Sequence, residues 1–465
     1  MAYRVTKEGY VTLSPKGSIL STNQHFVKDI LEELRSAYLG DDRPWIVGFS
    51  GGKDSTILVE FVYMMLLSLQ PEERRKKVFV LSSDNKVEMP FIAERIDREL
   101  ILLHAATERD QLPIEAHTVY PELNDSFWVN LIGRGYPSPR PKFRWCTDRL
   151  KIYPVSKFIL ERVNDFGSVV VVLGSRIAES GTRAHTMATH HIEGQRFRPH
   201  SDLPKAWVYT PLQHLSNDDI WMCLMDLKNP WGGDNRSLVA LYKRASGGEC
   251  PLVIDTSTPS CGQSRFGCWV CTVVEHDKSM ESFVDDGEER FEPLLDFRDY
   301  LREVRENSAA RENIRRNGMP AKEDGKGPFT IATRRDLLRR LLLAQKQSGE
   351  ILIEPAELRA IAEVWSTEGP KLGGPQPIDT VERIWKHVFE EAPMPDDIST
   401  TTLTKEEQLL KQVCEERCIP FEMMRRLTDL EEEYGALKNW RRGITVDLME
   451  TVMKYVQSEN PNKNV

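Results

Sequence analysis

The stretch VGFSGGKDSTILVEF, residues 47–61, joins an apolar run to a helical pattern through two adjacent glycines. It constrains the fold more than any other part of the chain. A buried strand that ends in a glycine-rich turn and runs straight into a helix brings backbone N–H groups and the positive end of a helix dipole to one point. That arrangement binds anions. A motor-type phosphate loop requires G-x-x-x-x-G-K followed by Ser or Thr. Val47 stands where the first glycine should be and Asp54 where the metal-binding hydroxyl should be, so that reading fails twice. What remains is Ser50-Gly51-Gly52-Lys53-Asp54-Ser55, with Thr56 next along the helix. In it Lys53 can neutralise phosphates, and Asp54 can support a metal ion or cap the helix.

Strand and helix signals alternate around this loop. Helices are expected over 25–38, 54–70 and 89–100, the last with Pro90 in its first turn. Strands are expected over 44–50, 76–84, 114–121 and 167–175. The run SVVVVLG has almost no polar interruption, as expected where helices cover both faces of a sheet. The pattern predicts an α/β fold, a mostly parallel twisted sheet with helices on both faces. From about residue 285 the character turns helical, with a helix expected to end at Gly318 and further helices at 331–347, 355–366, 379–391, 404–416, 420–433 and 445–457. The expected organisation is an N-terminal segment (1–24), a nucleotide domain (25–222), a cysteine segment (223–285) and a helical C-terminal region (286–465).

Open α/β sheets bind ligands outside the carboxyl ends of their strands, so other strand ends should line the same crevice. Asp84 follows the second strand. LGSRIAESGTRAHTM (173–187) follows a later one and supplies Gly174, Ser175, Arg176, Glu179, Ser180 and Arg183. Two arginines there suit an anion through forked hydrogen bonds.

The charge balance limits the partners. A formal charge of −9 excludes a chain coated in basic surface, so any nucleic-acid contact must be a local patch or come from another protein. The best basic helix is TRRDLLRRLLLAQK (333–346), whose arginines can track phosphates but more often pair with nearby carboxylates. No stretch is long and apolar enough for a membrane span, and the N-terminus shows no apolar signal core. A cytoplasmic protein without a membrane partner is therefore expected. There the eight cysteines would be reduced, metal-bound or catalytic.

Three cysteines group as Cys261, Cys268 and Cys271 in SCGQSRFGCWVCTVV, where Gly267 lets the backbone bend around a centre. Three thiolates need a fourth ligand, and the candidates are Cys146 and Cys250. Structural zinc favours two C-x-x-C pairs, and this chain has one; a [4Fe–4S] cluster fits the set better, with zinc and free thiols as alternatives. Cys223 lies in an apolar helix, and Cys414 and Cys418 stand a helical turn apart; these read as structural.

The SGGKDS stretch closely resembles the signature of the PP-loop family, the adenine-nucleotide α-hydrolases, and the Gly174–Ser180 stretch resembles that of its PAPS-reductase branch. The resemblance implies an enzyme that cleaves ATP between its α and β phosphates. In cluster-containing members a cysteine precedes a Lys-x-x-Pro element, which CTDRLKIYP matches. That implies Cys146 as the fourth ligand and a role for Lys151, with Arg144, Arg149 and Lys151 forming a basic patch for an anionic substrate. Those members carry paired cysteines there, whereas Trp145 precedes a single Cys146, which fits Cys261 as the additional ligand. Taken with SFWVNLIGRGYPSPRPKFRWCTDRLKIYP and FGCWVCTVVEHDKSM, the chain resembles the sulfur-incorporation proteins of bacterial DNA phosphorothioation over roughly residues 20–285. This implies ATP and Mg2+ at the loop, a [4Fe–4S] cluster, a cysteine desulfurase as donor, and work on DNA beside the other proteins of that system. Catalytic roles would fall to Lys53, Asp54, Arg144, Lys151 and Arg176. The rivals are a sulfonucleotide reductase, a tRNA thiolase, and a non-catalytic nucleotide-dependent scaffold.

Overall fold

Four consecutive valines, Val169–Val172, are buried on both sides in the middle of a six-stranded sheet. The computed structural model describes residues 4–5, 11–12, 24–179, 195–245, 266–315, 319–321, 327–372 and 377–390, with isolated positions beyond. The strands are β1 (Arg4–Val5), β2 (Val11–Thr12), β3 (Trp45–Gly48), β4 (Val78–Ser83), β5 (Ile114–Val119), β6 (Val169–Val172), β7 (Arg198–Pro199) and β8 (Ala206–Tyr209). β1 and β2 pair with each other; the main sheet runs β5-β4-β3-β6-β8-β7. All its neighbours are parallel except β7 against β8. The mostly parallel sheet expected from the sequence is present, with β7 and β8 as strands the sequence pattern did not reveal.

The strand sequences read as continuous apolar runs because each strand serves two cores. Val47, Val80 and Val172 join a cluster with Ile57, Leu58 and Ile92 on one face. Their neighbours Ile46, Phe79 and Val171 pack against Phe158, Ile159 and Val163 on the other. Alternating side chains of the central strands therefore both meet helices, while the edge strands β5 and β7 stay partly exposed.

The helices that matter for the site are α1 (Gln24–Leu39), α2 (Lys53–Ser68), α3 (Pro90–Arg109), the single turn α4 (Trp145–Thr147), α5 (Tyr153–Phe166), α6 (Asn217–Asp226) and α7 (Asn235–Ala245). They continue as α8 (Lys278–Asp285), α9 (Glu292–Glu306), α10 (Ile331–Ser348), α11 (Pro355–Leu372) and α12 (Pro377–Val388). Two helical pieces are π turns, Val129–Gly133 and Asp148–Ile152.

The helix expected to reach Gly318 instead ends at Glu306. The Asn307 side chain accepts from Ala309 N–H, and the chain then pairs Arg311 with Phe329 and Ile314 with Pro320. Arg311 is held there through its guanidinium, which donates to the carbonyls of Gly327 and Arg305. Gly318 and the helices expected at 404–416, 420–433 and 445–457 lie outside the described residues, apart from isolated positions.

The helical region packs on the first half of the chain through the Val129–Gly133 π turn, all five residues of which are buried. Trp128 Nε1 donates to the Leu352 carbonyl at 2.6 Å and Trp365 Nε1 to the Ile132 carbonyl at 3.1 Å. Arg334, expected as part of a basic phosphate-tracking face, is buried and donates to the carbonyls of Phe329 and Gly133. Arg339 and Arg340 bond Asp336 on the same helix, and Arg340 stacks on Tyr300 at 3.8 Å. Helix α10 thus commits Arg334 to packing and pairs Arg339 and Arg340 with a carboxylate of its own. Among the described residues no helix is long and apolar enough to cross a membrane.

Candidate functional site

The chain runs from β3 outward to β4 and β5 and then returns to lay β6 on the other side of β3. The order reverses between β3 and β6, and it is outside the carboxyl ends of strands at such a switch point that open sheets bind ligands. The loop Phe49–Gly52 leaves β3 at that point, and Leu173-Gly174 leaves β6 beside it. The two approach so closely that a Cβ on Gly174 would stand 2.9 Å from the Asp54 carbonyl oxygen. Gly51 adopts φ +67°, and a Cβ there would stand 2.6 Å from Ile96, so only glycine fits.

Inside the loop the Ser50 N–H donates to Ser55 Oγ at 3.1 Å, and Ser55 Oγ donates to the Gly52 carbonyl at 3.0 Å. The Tyr242 hydroxyl accepts from Lys53 N–H at 3.4 Å. Among the described residues the Gly51 and Gly52 N–H groups have no hydrogen-bond partner, which leaves them for an anion. Gly52 is the N-cap of α2 and Asp54 caps nothing, so the capping role considered for Asp54 falls away. Its carboxylate is instead shared by two cations. Lys53 Nζ donates to Oδ2 at 2.9 Å, and Arg176 Nε donates to Oδ1. Arg176 is fully buried, its other nitrogens reaching the Leu215 carbonyl at 3.1 Å and Asn217 Oδ1 at 2.7 Å. The rings of Trp221 and Tyr242 lie 5.9 and 5.7 Å from Lys53 Nζ. Burial pushes the Tyr242 hydroxyl up to about 12, so it stays a neutral partner for the loop.

The remaining expected nucleotide residues divide. Asp84 follows β4, half-buried, its Oδ1 accepting from Lys86 N–H at 2.7 Å. Ser175 is half-buried after β6, and Glu179 closes a 3-10 turn. Thr56, the fourth residue of α2, is fully buried, its hydroxyl without a partner among the described residues. Ser180 and Arg183 lie outside the described residues. Magnesium commonly takes one or two carboxylates and completes its shell with phosphates and water, so Asp84 at the crevice suits it; Asp54 is already committed to two cations.

The residue after Asp84 links this edge to the cysteines. Asn85 is fully buried; its amide donates to Cys268 Sγ at 3.2 Å and to Glu88 Oε1 at 3.1 Å. Glu88 pairs with Cys268 in an isolated bridge, and Trp269 N–H donates to the Val87 carbonyl at 3.1 Å. Cys271 N–H closes a tight turn onto the Cys268 carbonyl at 3.0 Å. Lys151 Nζ lies 3.5 Å from Glu88 Oε1.

Cys146 and Lys151 are five residues apart, about 1.4 turns of a regular α-helix, which would point them in different directions. The π turn at Asp148–Ile152 adds a residue to that turn, and the lysine comes within electrostatic reach of both Cys146 and Cys268. Desolvation works against the Lys151 charge, yet Cys268 and Glu88 hold it above the ordinary lysine range.

Burial and the neighbouring sulfur of Cys271 raise the Cys146 thiol. Burial is also the main cause that pushes Cys268 up to about 12, opposed by Lys151. Among the described residues no group of three or more His, Cys, Asp or Glu is arranged to hold a single metal ion. A multi-iron cluster spreads its thiolates over several irons, so its sulfurs stand further apart than the ligands of one ion. Three soft sulfurs, with Cys271 close enough to raise the thiols of Cys146 and Cys268, beside a lysine and an amide donor, fit such a group by donor chemistry. Cys261 and Cys250 lie outside the described residues. Cys223 and Cys414 are buried, as expected of structural cysteines.

The basic patch expected around Cys146 is mostly neutralised. Arg149 pairs with Asp125, Lys151 pairs with Glu88, and only Arg144 is exposed with no ion pair among the described residues. Sequence reasoning missed Asn85, Glu88, Asn217, Trp221 and Tyr242. The Asp84-Asn85 pair at a strand end was the one local signal for the first of these.

No family model matches the chain. Over 250 residues, 54% of this chain, it is 24% identical to an uncharacterized protein of Methanocaldococcus jannaschii, and the match spans 39% of that relative's length. Among solved structures it is similar to phosphoadenylyl-sulfate reductase from Candida auris in a phosphate complex. That likeness has 12% identity and a TM-score of 0.28, and covers 46% of this chain and 89% of that one. It is also similar to the U34-tRNA thiolase NcsA of Methanococcus maripaludis with its [4Fe-4S] cluster, at 10% identity and a TM-score of 0.29, covering 61% and 79%. A third is Candida glabrata FMN adenylyltransferase with FMN and an ATP analog, at 12% identity and a TM-score of 0.27, covering 45% and 59%. Likeness at this level decides neither fold nor activity; the architecture rests on the chain's own sheet.

Proposed function

We propose that this chain is an ATP pyrophosphatase and sulfurtransferase that places sulfur in the DNA backbone, the role of DndC in DNA phosphorothioation. The observation that carries the reading is the loop after β4: Asp84 at the nucleotide edge is followed by Asn85, whose amide holds Cys268 Sγ at 3.2 Å. Nucleotide-type and sulfur-type residues thus share one edge of the sheet, as a reaction that joins activated oxygen to incoming sulfur requires.

The chemistry runs in two displacements. A non-bridging oxygen of a DNA phosphodiester attacks the α-phosphorus of ATP; the new P–O bond forms as the bond to the β-phosphate oxygen breaks, and pyrophosphate leaves. The open N–H groups of Gly51 and Gly52, with Lys53, receive the charge that builds on the departing pyrophosphate. Arg176 and Asp54 hold Lys53 in position. Asp84 would hold magnesium, which would supply positive charge against the phosphates. A hydrosulfide-level nucleophile then attacks the activated DNA phosphorus, the P–S bond forms, and AMP departs with the oxygen; sulfur that arrives as a persulfide is first released at that level by a thiol reductant, which leaves as the disulfide. A [4Fe–4S] cluster would be held by Cys146, Cys268 and Cys271, with Cys261 as the further ligand, and would supply iron–sulfur redox chemistry beside the incoming sulfur. Lys151 and Arg144 offer positive charge to the anionic substrate beside it.

On this reading the protein works in the cytoplasm with a cysteine desulfurase as sulfur and cluster donor, and with DndD, DndE and DNA. The test is product analysis of anaerobically purified protein supplied with ATP, magnesium, duplex DNA and sulfide, together with mass spectrometry of DNA from cells with and without the chain. AMP, pyrophosphate and phosphorothioate linkages that depend on the chain are expected. Release of ADP and phosphate, or a preparation with stoichiometric zinc and no iron, would overturn it.

A further inference from the structure

Between Pro139 and Trp145 the chain makes a short turn, Arg140-Pro141-Lys142-Phe143-Arg144, every residue of which is exposed. Two backbone bonds close it, Arg140 N–H to the Phe143 carbonyl at 3.1 Å and Phe143 N–H to the Arg140 carbonyl at 2.8 Å. Its base is rigid. Ser138 Oγ donates to the Leu301 carbonyl at 3.0 Å, and Trp145 Nε1 to the Pro137 carbonyl at 2.9 Å. The Trp145 ring stacks on Phe127 at 5.3 Å. The Pro139 carbonyl accepts from Thr272 Oγ1 at 2.7 Å and from the Arg305 guanidinium. The turn therefore hangs between the two cysteine elements: Thr272 follows Cys271, and Cys146 comes two residues after Arg144.

The charges on this turn are unusual for the molecule. Acidic residues outnumber basic ones, 71 to 62, and the neighbouring Arg149, Lys151 and Lys157 are each paired with a carboxylate. Among the described residues Arg140, Lys142 and Arg144 have neither an ion pair nor a side-chain hydrogen bond. Behind them stand Arg305 and Arg311. Burial, together with the charges of Arg140 and Arg305, presses the Arg311 guanidinium down to about 10 although Glu306 lies near. An ordinary solvated face spreads and pairs its charges; this one holds like charges together on a fixed base. A polyanion laid across it would relieve that crowding.

We propose that the turn Arg140–Arg144 is the contact for the phosphodiester backbone of duplex DNA, presenting a phosphate to the cysteine side of the site. The proposal rests on the reading above for the identity of the polyanion. Arg140 and Lys142 act as phosphate grips, and Arg144 stands nearest the reacting linkage. The contact is sequence-independent, because phosphates carry no base information.

The test uses the full chain and a fluorescently labelled duplex, with anisotropy followed across a salt series. Arg140→Ala/Lys142→Ala is expected to weaken binding about tenfold at low salt. It should also flatten the log–log salt dependence by about 1–2, since each phosphate contact contributes roughly 0.9 to that slope. Its basal hydrolysis of ATP to AMP and pyrophosphate, in which water replaces the absent DNA oxygen, should match the wild type. Three results would overturn the proposal: wild-type protein that fails to bind the duplex at low salt, a double variant with unchanged affinity and slope, or bound duplex displaced more readily by tRNA than by unlabelled duplex. Loss of ATP splitting in the wild type would instead strike the enzymatic reading, because the binding measurement contains no nucleotide.

Discussion

Arg176 reaches across 122 residues of sequence to donate to the Asp54 carboxylate, while Lys53 Nζ takes the other oxygen at 2.9 Å. One acid thereby sets the position of both cations at the mouth of the loop. Neutralising it leaves a fully buried guanidinium without its counter-charge. Asp54→Asn is expected to cost about 3 kcal/mol in chemical denaturation and to slow pyrophosphate release at least about 100-fold. Lys53→Ala, which removes the group that meets the leaving pyrophosphate, should lose activity similarly while keeping more of the stability. Wild-type rates in either variant would remove the assigned roles.

The close approach of β6 to the start of α2 leaves no room for a methyl group. Gly174→Ala places a Cβ 2.9 Å from the Asp54 carbonyl, so the strand end and the helix start must part. Overpacking of this kind costs about 1–3 kcal/mol. ATP affinity, read by equilibrium dialysis, is expected to fall about tenfold or more in a protein that still unfolds cooperatively. Unchanged affinity would mean that the crevice does not form the nucleotide site.

Asn85 carries the link from strand β4 to Cys268. Asn85→Asp keeps the shape of the side chain but puts a negative charge where an amide donor faced sulfur. A thiolate there becomes harder to form. In metal-free protein, alkylation of Cys268 by iodoacetamide, followed by peptide mass spectrometry, should slow about tenfold, one pKa unit of differential interaction. Equal rates would show that the amide does not act on the sulfur.

Beneath the loop, Glu60 on α2 is fully buried; Asn229 donates to its Oε1 at 3.3 Å, and its Oε2 has no partner among the described residues. Burial raises this carboxyl to about 8. Between the ordinary carboxylate range and pH 8 the unfolded chain has released this proton while the folded chain keeps it. Stability contributed here is therefore present at low pH and lost as pH rises toward 8. Glu60→Gln should abolish that loss, raising stability by about 1–3 kcal/mol at pH 8 and much less at pH 5, measured by thermal melts across pH. A variant equally altered at both values would contradict the buried, protonated acid.

What the sequence determined by itself was local. Gly51, Gly52 and Lys53 between an apolar run and a helical pattern specified the strand, the loop and the helix start, because each depends on neighbours a few residues away. The valine run at 169–172 announced a sheet covered on both faces, because alternate side chains need separate cores. The basic pattern of α10 is only partly legible for the same reason: spacing exposes a charge pattern but not the Phe329 and Gly133 carbonyls that absorb Arg334.

Only the tertiary structure decided which distant residues meet. Arg176 finds Asp54 because β6 returns beside β3, and Asn85 finds Cys268 because the cysteine turn docks against the residues that follow β4. Cys146 and Lys151 share a side only through a π turn, whose extra residue no periodicity displays. Such contacts are selected by how elements pack, since burying a charge or a thiol is tolerable only where the fold brings it a partner.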